Sequence, residues 1–189
     1  MKGDWCYFLS YFNKETCKKI IADGLELPAH NARMGASGQT EDNQYRRSKI
    51  RFINKNDTKF GYVFDALWKT AIQANDDYFN FHISRLDYLQ LAEYDAAYKG
   101  EYKEHHDVFW MNDDPHYHRK LSCIVQLSDP ADYDGGDLEI TEAKNPLDAG
   151  ARQQGTLIYF PSMLRHKANQ VTRGTRYSLA AWFDGPKWR

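Results

Sequence analysis

The sequence predicts an α+β fold in which N-terminal helices pack against a C-terminal antiparallel β-sandwich or barrel. The chain has 189 residues, 42% of them hydrophobic, which is enough to bury a sizeable core. Two helical patterns precede about residue 85, and short β-prone runs with intervening turn signals continue from about residue 86 to residue 185. We therefore expect residues 1–189 to form one domain, a helical buttress followed by a β core.

The N-terminal part contains two predicted helices. The first is "FNKETCKKIIADGLE", in which Asn13 is a candidate N-cap and Gly24 a candidate stop. The second is "KFGYVFDALWKTAIQANDDYF", whose apolar residues recur at helical spacing, as expected for a helix packed on a sheet. The residues of this apolar stripe are Phe60, Val63, Phe64, Leu67, Trp68 and Ile72.

The segment between the two helices has a loop-like part and a strand-like part. Residues 28–44, which include His30, are polar and lack periodicity. This pattern predicts a surface loop, with a mobile lid as the alternative. The run "SKIRFI" that follows alternates between polar and apolar residues and predicts a short strand.

The β core is predicted from five short runs rich in β-branched and aromatic residues. The runs are "LDYLQLAEY", "KLSCIVQLS", "GDLEITE", "GTLIYFP" and "RYSLAAWF". Turn-forming residues separate most of them, and Gly135 and Gly136 permit the positive φ of a tight turn. A layer of short antiparallel strands is the expected result.

Net charge and cysteine content indicate which binding partners and which cellular compartment this protein has. The formal net charge of -1 argues against duplex DNA or an anionic membrane as a partner. Cys6, Cys17 and Cys123 have no metal-binding spacing, which favours free thiols in a reducing compartment. The N-terminal residues lack the apolar stretch of a secretory signal, and no run approaches the ~20 apolar residues of a membrane span. We expect a soluble, cytoplasmic protein.

The stretch "EYKEHHDVFW" carries a candidate metal site. In an extended chain His105 and Asp107 point to one face and His106 to the other. A third ligand is available in His166, which follows the strand-like run "GTLIYFP". Two histidines and one carboxylate on one side of an iron ion leave coordination positions open for substrates.

Two other readings of these histidines stay open. His105 and Asp107 are also compatible with a solvated polar loop, and His166 with a surface or core histidine. A structural zinc site is a further alternative, using His105 and His106 or the pair His116 and His118 in the polar connection "NDDPHYHRK". Such a site needs four protein ligands.

The strand-like run "RGTRYSLAAWFDG" places an arginine on a face that is predicted to be buried. Arg176, Ser178, Ala180 and Trp182 share that face because side chains alternate along a strand. A buried guanidinium requires an anion. Either a distant carboxylate of the protein or the carboxylate of a bound ligand would supply it, and arginine suits fork-like recognition of carboxylates.

The ordered series His-x-Asp, distal His and Arg ten residues later resembles the Fe(II)/2-oxoglutarate dioxygenases, and among them the prolyl 4-hydroxylase-like, PKHD-type branch. The resemblance is densest from Tyr94 to Phe183. The matching stretches are "YKGEYKEHHD", "RKLSCIVQLSDP", "YDGGDLEI" and "GTLIYFPSMLRHKANQVTRGTRYSLAAWF". It implies a double-stranded β-helix core of the jelly-roll or cupin type, buttressed by the N-terminal helices.

The resemblance also implies roles for individual residues. His105, Asp107 and His166 would hold Fe(II), and Arg176 would bind the far carboxylate of 2-oxoglutarate. Further residues implied to contact the co-substrate or to lie near the iron are Tyr94, Tyr102, Gln126, Ser178 and Trp182. Several relatives have a tyrosine at the place of Gln126, and that tyrosine contacts the far carboxylate of 2-oxoglutarate. Here the amide of Gln126, or Ser178 or Tyr94, would make this contact instead.

The activity implied by the resemblance is hydroxylation of an unactivated C–H bond with 2-oxoglutarate and O2, yielding succinate and CO2, with ascorbate as a stimulating reductant. A prolyl residue of a protein or peptide is the first choice of substrate. Residues 28–44 with Tyr45, Arg46 and Arg47 would close over it, and Trp110 would line the groove. Related nucleic-acid demethylases carry a second arginine where this chain has Trp182. The alternatives are a hydroxylase of a free amino acid or other small molecule, and a non-catalytic β-barrel that binds a metal or an acid.

Overall fold

A computed structural model describes residues 2–31, 44–108, 114–146 and 150–188. Most of the predicted lid, and Trp110, lie outside these residues. The described strands form two sheets. The strands are β1 Cys6–Phe8, β2 His30–Asn31, β3 Arg46–Arg47, β4 Lys49–Asn54, β5 Tyr88–Asp95, β6 Glu101–His105, β7 Tyr117–Gln126, β8 Tyr133–Gly135, β9 Leu138–Ile140, β10 Leu157–Pro161, β11 His166–Ala168 and β12 Val171–Pro186.

The chain alternates between the two sheets. The larger sheet has the order β1-β10-β7-β12-β5-β4-β2, with β8 paired to β12, and the smaller sheet has the order β3-β6-β11-β9. From β5 onward, β5, β7, β10 and β12 belong to the larger sheet, whereas β6, β9 and β11 belong to the smaller one. This alternation of antiparallel strands forms a double-stranded β-helix and confirms the predicted fold class.

The first helix, α1 Lys14–Leu25, begins as predicted but does not end as predicted. The side chain of Asn13 accepts a hydrogen bond from the Thr16 amide at 2.8 Å, which caps the helix. Gly24 lies inside the last turn, and Glu26 is the C-cap, so the predicted stop was wrong. A Cβ at Gly24 would lie 2.5 Å from Cδ2 of Leu91 on β5. The glycine is therefore needed for the close approach of α1 to the sheet.

The second helix, α2 Gly61–Ala74, follows a 3-10 turn at Thr58–Phe60 and continues into a π-helical turn at Asn75–Phe79. Its apolar face packs on the larger sheet as predicted, with Leu67 in the same buried cluster as Leu91, Leu179 and Phe183. Ile72 was wrongly included in the buried stripe, since its side chain is 37% exposed.

The alternation predicted for β12 is confirmed, and it separates the helix-facing core from the interior of the β-helix. Leu179 and Phe183 are buried against the helices. Arg176, Ser178 and Trp182 point to the opposite side and line a cavity between the two sheets. The larger sheet therefore carries structural residues on one face and candidate functional residues on the other.

Two histidines occupy positions that differ from their predicted ones. His30 was placed in a loop, but it belongs to the short strand β2, which pairs with β4 at Ile50. His118 was placed in a polar connection, but it is buried within β7, where its Nδ1 accepts a hydrogen bond from the amide of Trp188 at 3.3 Å. The buried imidazole of His118 therefore helps to hold the backbone at Trp188 in place.

The prediction of free thiols is confirmed, because Cys6, Cys17 and Cys123 are buried free cysteines. Gly135 and Gly136 adopt φ angles of 70° and 67°, as the predicted tight turn requires. Among the described residues, no helix has both the length and the apolar character needed to cross a membrane.

Candidate active site

The three predicted metal ligands meet at one point between the sheets. His105 is the last residue of β6, Asp107 lies two residues further, and His166 begins β11. The two histidines are directly paired across the smaller sheet. One Oδ of Asp107 lies 3.7 Å from Nε2 of His105, and the other lies 3.6 Å from Nε2 of His166. The ligand atoms of all three residues lie within 4.8 Å of one another.

Backbone contacts orient both imidazole rings for metal binding. Nδ1 of His105 lies 2.8 Å from the carbonyl oxygen of Lys103, and Nδ1 of His166 lies 3.0 Å from that of Leu164. A carbonyl oxygen only accepts hydrogen bonds, so each Nδ1 carries the proton and each Nε2 keeps a lone pair. Both lone pairs belong to the cluster with Asp107, and this donor set fits Fe(II).

The carboxylate of Asp107 is kept ionised within the protein. Burial raises its pKa, but His166, His105, Arg119 and the hydroxyl of Ser122 outweigh this effect and hold the pKa at about 2. Ser122 donates a 2.6 Å hydrogen bond to Oδ2 of Asp107. The site therefore presents a negative ligand at any pH near neutrality.

His105 is held neutral by its surroundings. Burial, followed by the influence of His166, lowers the pKa of His105 to about 3. The ring of Tyr102 stacks on it at a centroid distance of 3.5 Å and an interplanar angle of 15°. A neutral, clamped imidazole is the form that binds a metal ion.

Arg176 lies in the same cavity and has no acidic partner among the described residues. Its side chain is 2% exposed. Nη2 donates a 2.9 Å hydrogen bond to Oε1 of Gln126, whereas Nε is buried without a partner in the described structure. The Cζ atom lies 5.5 Å from the ring centroid of Tyr94. The sequence allowed either a protein carboxylate or a ligand carboxylate as the partner of Arg176. No protein carboxylate pairs with it among the described residues, so its surroundings fit the carboxylate of a ligand.

The cavity that joins Arg176 to the metal cluster has a volume of about 620 Å³. Tyr94, Tyr102, Ser178 and Trp182, all predicted site residues, line it. Gln126 instead reaches the cavity only through its hydrogen bond to Arg176. The indole N–H of Trp182 is buried without a partner among the described residues.

Two further cavity residues were not identified as site residues from the sequence. Arg119 packs its guanidinium 4.0 Å from the ring centroid of Trp182 and donates a hydrogen bond to the hydroxyl of Tyr88. Arg46, which the resemblance placed with Tyr45 and Arg47 in a segment closing over the substrate, is buried in the cavity wall. Neither position carries a local signal, because each depends on pairing between strands that are distant in sequence.

The alternative of a closed zinc site finds no support in the described ranges. These contribute three ligands to the cluster, one fewer than a structural zinc site requires. His106 is exposed at the rim of the cavity and does not join the cluster, nor does the pair His116 and His118.

Comparison with known proteins agrees with this arrangement. Residues 89–184 match the sequence profile of the 2OG-Fe(II) oxygenase superfamily. A PKHD-type hydroxylase of Pseudomonas aeruginosa (strain LESB58) is 42% identical over 62 residues, which are 33% of this chain and 27% of that protein. A PKHD-type hydroxylase of Aliarcobacter butzleri (strain RM4018) is 27% identical over 151 residues, covering 77% of this chain and 65% of that protein. The chain thus spans less than two thirds of the length of these relatives.

Solved structures share the fold at low sequence identity. A Pseudomonas putida prolyl-4-hydroxylase has a TM-score of 0.70 at 18% identity, over 96% of this chain and 92% of that chain. A Trichoplax adhaerens prolyl hydroxylase, solved with a peptide fragment of the hypoxia inducible factor oxygen degradation domain, has a TM-score of 0.73 at 17% identity, over 96% and 83%. A viral collagen prolyl hydroxylase from Paramecium Bursaria Chlorella virus-1, solved with 2OG, has a TM-score of 0.68 at 16% identity, over 96% of both chains.

Proposed function

The chain belongs to the 2OG-Fe(II) oxygenase superfamily, and on this basis we propose that it hydroxylates a prolyl residue of a protein or peptide, with succinate and CO2 as co-products. The observation that carries the proposal is the presence, in one cavity, of the ligand cluster His105, Asp107 and His166 and of a buried Arg176 that lacks a carboxylate partner among the described residues. The family uses Fe(II) and 2-oxoglutarate, and the cluster could hold the metal.

Each residue has a distinct task in the proposed reaction. His105, Asp107 and His166 would hold Fe(II) in the cavity. Arg176 holds the far carboxylate of 2-oxoglutarate, with Gln126 fixing the guanidinium. Fe(II) and 2-oxoglutarate, when bound, supply the oxidising chemistry by coupling decarboxylation of the co-substrate to activation of O2.

The chain also orients its ligands and shapes the entry of the substrate. Ser122 orients Asp107 through its hydrogen bond. Tyr88 and Trp182, whose ring centroids lie 5.7 Å apart, present aromatic surface in the same cavity as the metal cluster, with the guanidinium of Arg119 packed on Trp182. Aromatic surface of this kind suits a prolyl ring.

The choice of a prolyl substrate rests on the relatives. PKHD-type hydroxylases are similar in sequence, and prolyl hydroxylases are similar in fold, one of them with a bound peptide. A free amino acid or other small molecule remains the second candidate, because the cavity of about 620 Å³ is also large enough for one.

The first experiment tests metal and co-substrate binding before any substrate is known. 2-Oxoglutarate is titrated into the anaerobic, Fe(II)-loaded protein, and the visible metal-to-ligand charge-transfer band is recorded. We expect a band in the native protein and none in His105→Ala. Arg176→Ala should need roughly 10- to 100-fold more 2-oxoglutarate, the loss expected for charge-assisted hydrogen bonds.

Arg173→Ala is the matched control for Arg176→Ala. Arg173 lies on the same strand, but it is exposed and pairs with Asp134. Its loss should leave the titration unchanged. A native protein that binds metal but shows no band would contradict the oxygenase proposal. Mass spectrometry of proline-containing peptides, free proline and free lysine, with succinate as the second readout, then separates peptide from small-molecule hydroxylation.

A further inference from the structure

A second arginine, Arg46 on β3, lies in the wall of the active-site cavity without an ionic partner in the described part of the chain. Its side chain is only 8% exposed. Nε donates a 2.8 Å hydrogen bond to Oγ of Ser48, and Nη2 donates one of 2.8 Å to Oε1 of Gln90. Both acceptors are neutral, so they satisfy part of the guanidinium but do not compensate its charge. A buried cation of this kind requires an anion.

The guanidinium of Arg46 is held close to the metal cluster. Its Cζ lies 4.2 Å from the ring centroid of Tyr102, and the ring of Tyr102 stacks on His105. The hydrogen bond to Gln90 on β5 and the stacking on Tyr102 of β6 attach the same side chain to both sheets. A cation fixed in this way is preorganised, because little side-chain freedom is lost when an anion binds.

Arg46 and Arg176 serve different ends of the cavity. Arg176 lies beside Tyr94, its partner across the sheet, whereas Arg46 is bonded to Gln90. Gln90 and Tyr94 are four residues apart on one face of β5, so their Cα atoms are about 13 Å apart at ~3.3 Å per residue. A five-carbon diacid is shorter, roughly 6 Å at about 1.5 Å per C–C bond. These separate contacts are the basis for assigning 2-oxoglutarate to Arg176 alone, and the 2-oxoglutarate affinity of Arg46→Gln tests that assignment.

An aromatic wall lies next to Arg46. Phe52 is directly paired with Gln90 across the sheet and is 49% exposed. Its ring lies 5.7 Å from that of Tyr88, which is followed by Trp182 at 5.7 Å. All of these side chains line the cavity. The wall offers aromatic surface to a flat or apolar part of a substrate, and the guanidinium of Arg119 packs on its Trp182 ring.

We propose that Arg46 is a second anion-binding residue, which recognises a carboxylate on the molecule to be hydroxylated while its apolar part lies along Phe52, Tyr88 and Trp182. This inference rests on the proposed oxygenase function and adds the substrate class, an acidic molecule. The carboxylate belongs to an Asp or Glu side chain near the target residue, to the C-terminus of a peptide, or to a free amino acid.

The experiment measures binding under conditions that prevent turnover. The protein is loaded with Mn(II) and 2-oxoglutarate in the absence of O2. Proline-containing peptides are then titrated into it, and isothermal titration calorimetry measures their binding. The peptides differ at one position next to proline (Glu, Gln or Lys), and each is made with a free or an amidated C-terminus. Free proline and free glutamate form the third arm. Their comparison identifies the source of the carboxylate.

The expected result is a preference of at least about 10-fold for a carboxylate over the matching amide, as one charge-assisted contact provides. Arg46→Gln should abolish the preference, Arg46→Lys should retain part of it, and Arg46→Glu should favour the lysine peptide. The 2-oxoglutarate affinity of Arg46→Gln should stay native. Arg47→Gln is the matched control, since Arg47 pairs with Glu101 and does not line the cavity.

Two results would overturn the inference. Equal affinity of native protein for acid and amide probes would show that no carboxylate is recognised. A loss of 2-oxoglutarate affinity in Arg46→Gln as large as in Arg176→Ala would make Arg46 a co-substrate ligand. Failure of the oxygenase proposal is seen separately, in the titration of 2-oxoglutarate without peptide.

Discussion

The hydroxyl of Ser122 donates a 2.6 Å hydrogen bond to Oδ2 of Asp107 and thereby joins the two sheets at the metal cluster. Ser122 lies on β7 of the larger sheet and is fully buried, whereas Asp107 follows β6 of the smaller sheet. The hydroxyl of Ser162 lies 2.9 Å from that of Ser122 and continues the chain of contacts. The carboxylate ligand is therefore positioned by the sheet opposite to the one that supplies the histidines.

Replacement of Ser122 should weaken metal binding without preventing it. Ser122→Ala removes the hydrogen bond that orients Asp107, and losses of this kind typically lower metal affinity about 10- to 100-fold. Competition with a chromophoric chelator measures the dissociation constant for Fe(II). Ser162→Ala is the control, because the hydroxyl of Ser162 reaches Asp107 only by way of Ser122. The backbone carbonyl of Ser162, which accepts a hydrogen bond from the Asp107 amide, is kept in this variant. An equal loss in both variants would contradict the assigned role of Ser122.

Gly136 should matter for binding of the co-substrate as well as for stability. A Cβ there would lie 2.9 Å from Cδ of Arg176 and 2.9 Å from Cγ2 of Val171, at a φ of +67°. Gly136→Ala should therefore lower the free energy of unfolding by about 1–2 kcal/mol through backbone strain and also displace Arg176. We expect a several-fold weaker affinity for 2-oxoglutarate, measured by the charge-transfer titration.

Gly150→Ala provides the matched control for backbone strain. Gly150 has a φ of +72°, but the nearest atom to its Cβ position is Nε2 of Gln153 at 3.7 Å. This variant should show a similar loss of stability in urea denaturation, with native affinity for 2-oxoglutarate. If Gly136→Ala also kept native affinity, the packing of Gly136 against Arg176 would have no part in holding the arginine.

A pair of helix glycines should respond in opposite directions to alanine. Gly24→Ala places a Cβ 2.5 Å from Cδ2 of the buried Leu91 and should destabilise the protein by about 1–3 kcal/mol through overpacking. Gly61 has no atom within 4 Å of its Cβ position. Gly61→Ala should stabilise by about 0.4–1 kcal/mol, because it restricts the unfolded chain. Urea denaturation measures both, and a stabilising Gly24→Ala would contradict the packing argument.

The stability of the metal-free protein should fall as the pH is lowered through the acid range. The pKa of His105 is lowered from its ordinary value of 6.5 to about 3 in the folded state. Between these values the unfolded chain binds the proton and the folded chain does not, so the free energy of unfolding decreases with falling pH. For one group the slope is at most about 1.4 kcal/mol per pH unit.

His105→Gln should reduce this slope, since glutamine does not titrate. Urea denaturation of the metal-free native protein and of the variant at several pH values between 6.5 and 3 makes the comparison. Identical slopes in the two proteins would show that burial of the neutral His105 ring does not contribute to the acid sensitivity.

Local sequence patterns were sufficient for several elements of the fold. The N-cap at Asn13 was predicted because its hydrogen bond reaches only to Thr16. The two faces of β12 were predicted because side-chain direction alternates with each residue. Gly24 was wrongly predicted to end the helix because a glycine near a helix end is commonly a stop. Its actual role is to make room for Leu91 on a distant strand, and the local sequence carries no sign of that contact.

The sequence by itself determined which functional groups this protein has and their order along the chain: His105, Asp107, His166 and Arg176. The alternation of side chains along a strand also predicted that Arg176 is buried. Only the tertiary structure decided which of them meet. The pairing of β6 with β11 places His105 opposite His166, and the pairing of β3 with β6 brings Arg46 onto Tyr102. These contacts depend on sheet register and on closure of the β-helix, which join distant segments and are not encoded in local periodicity.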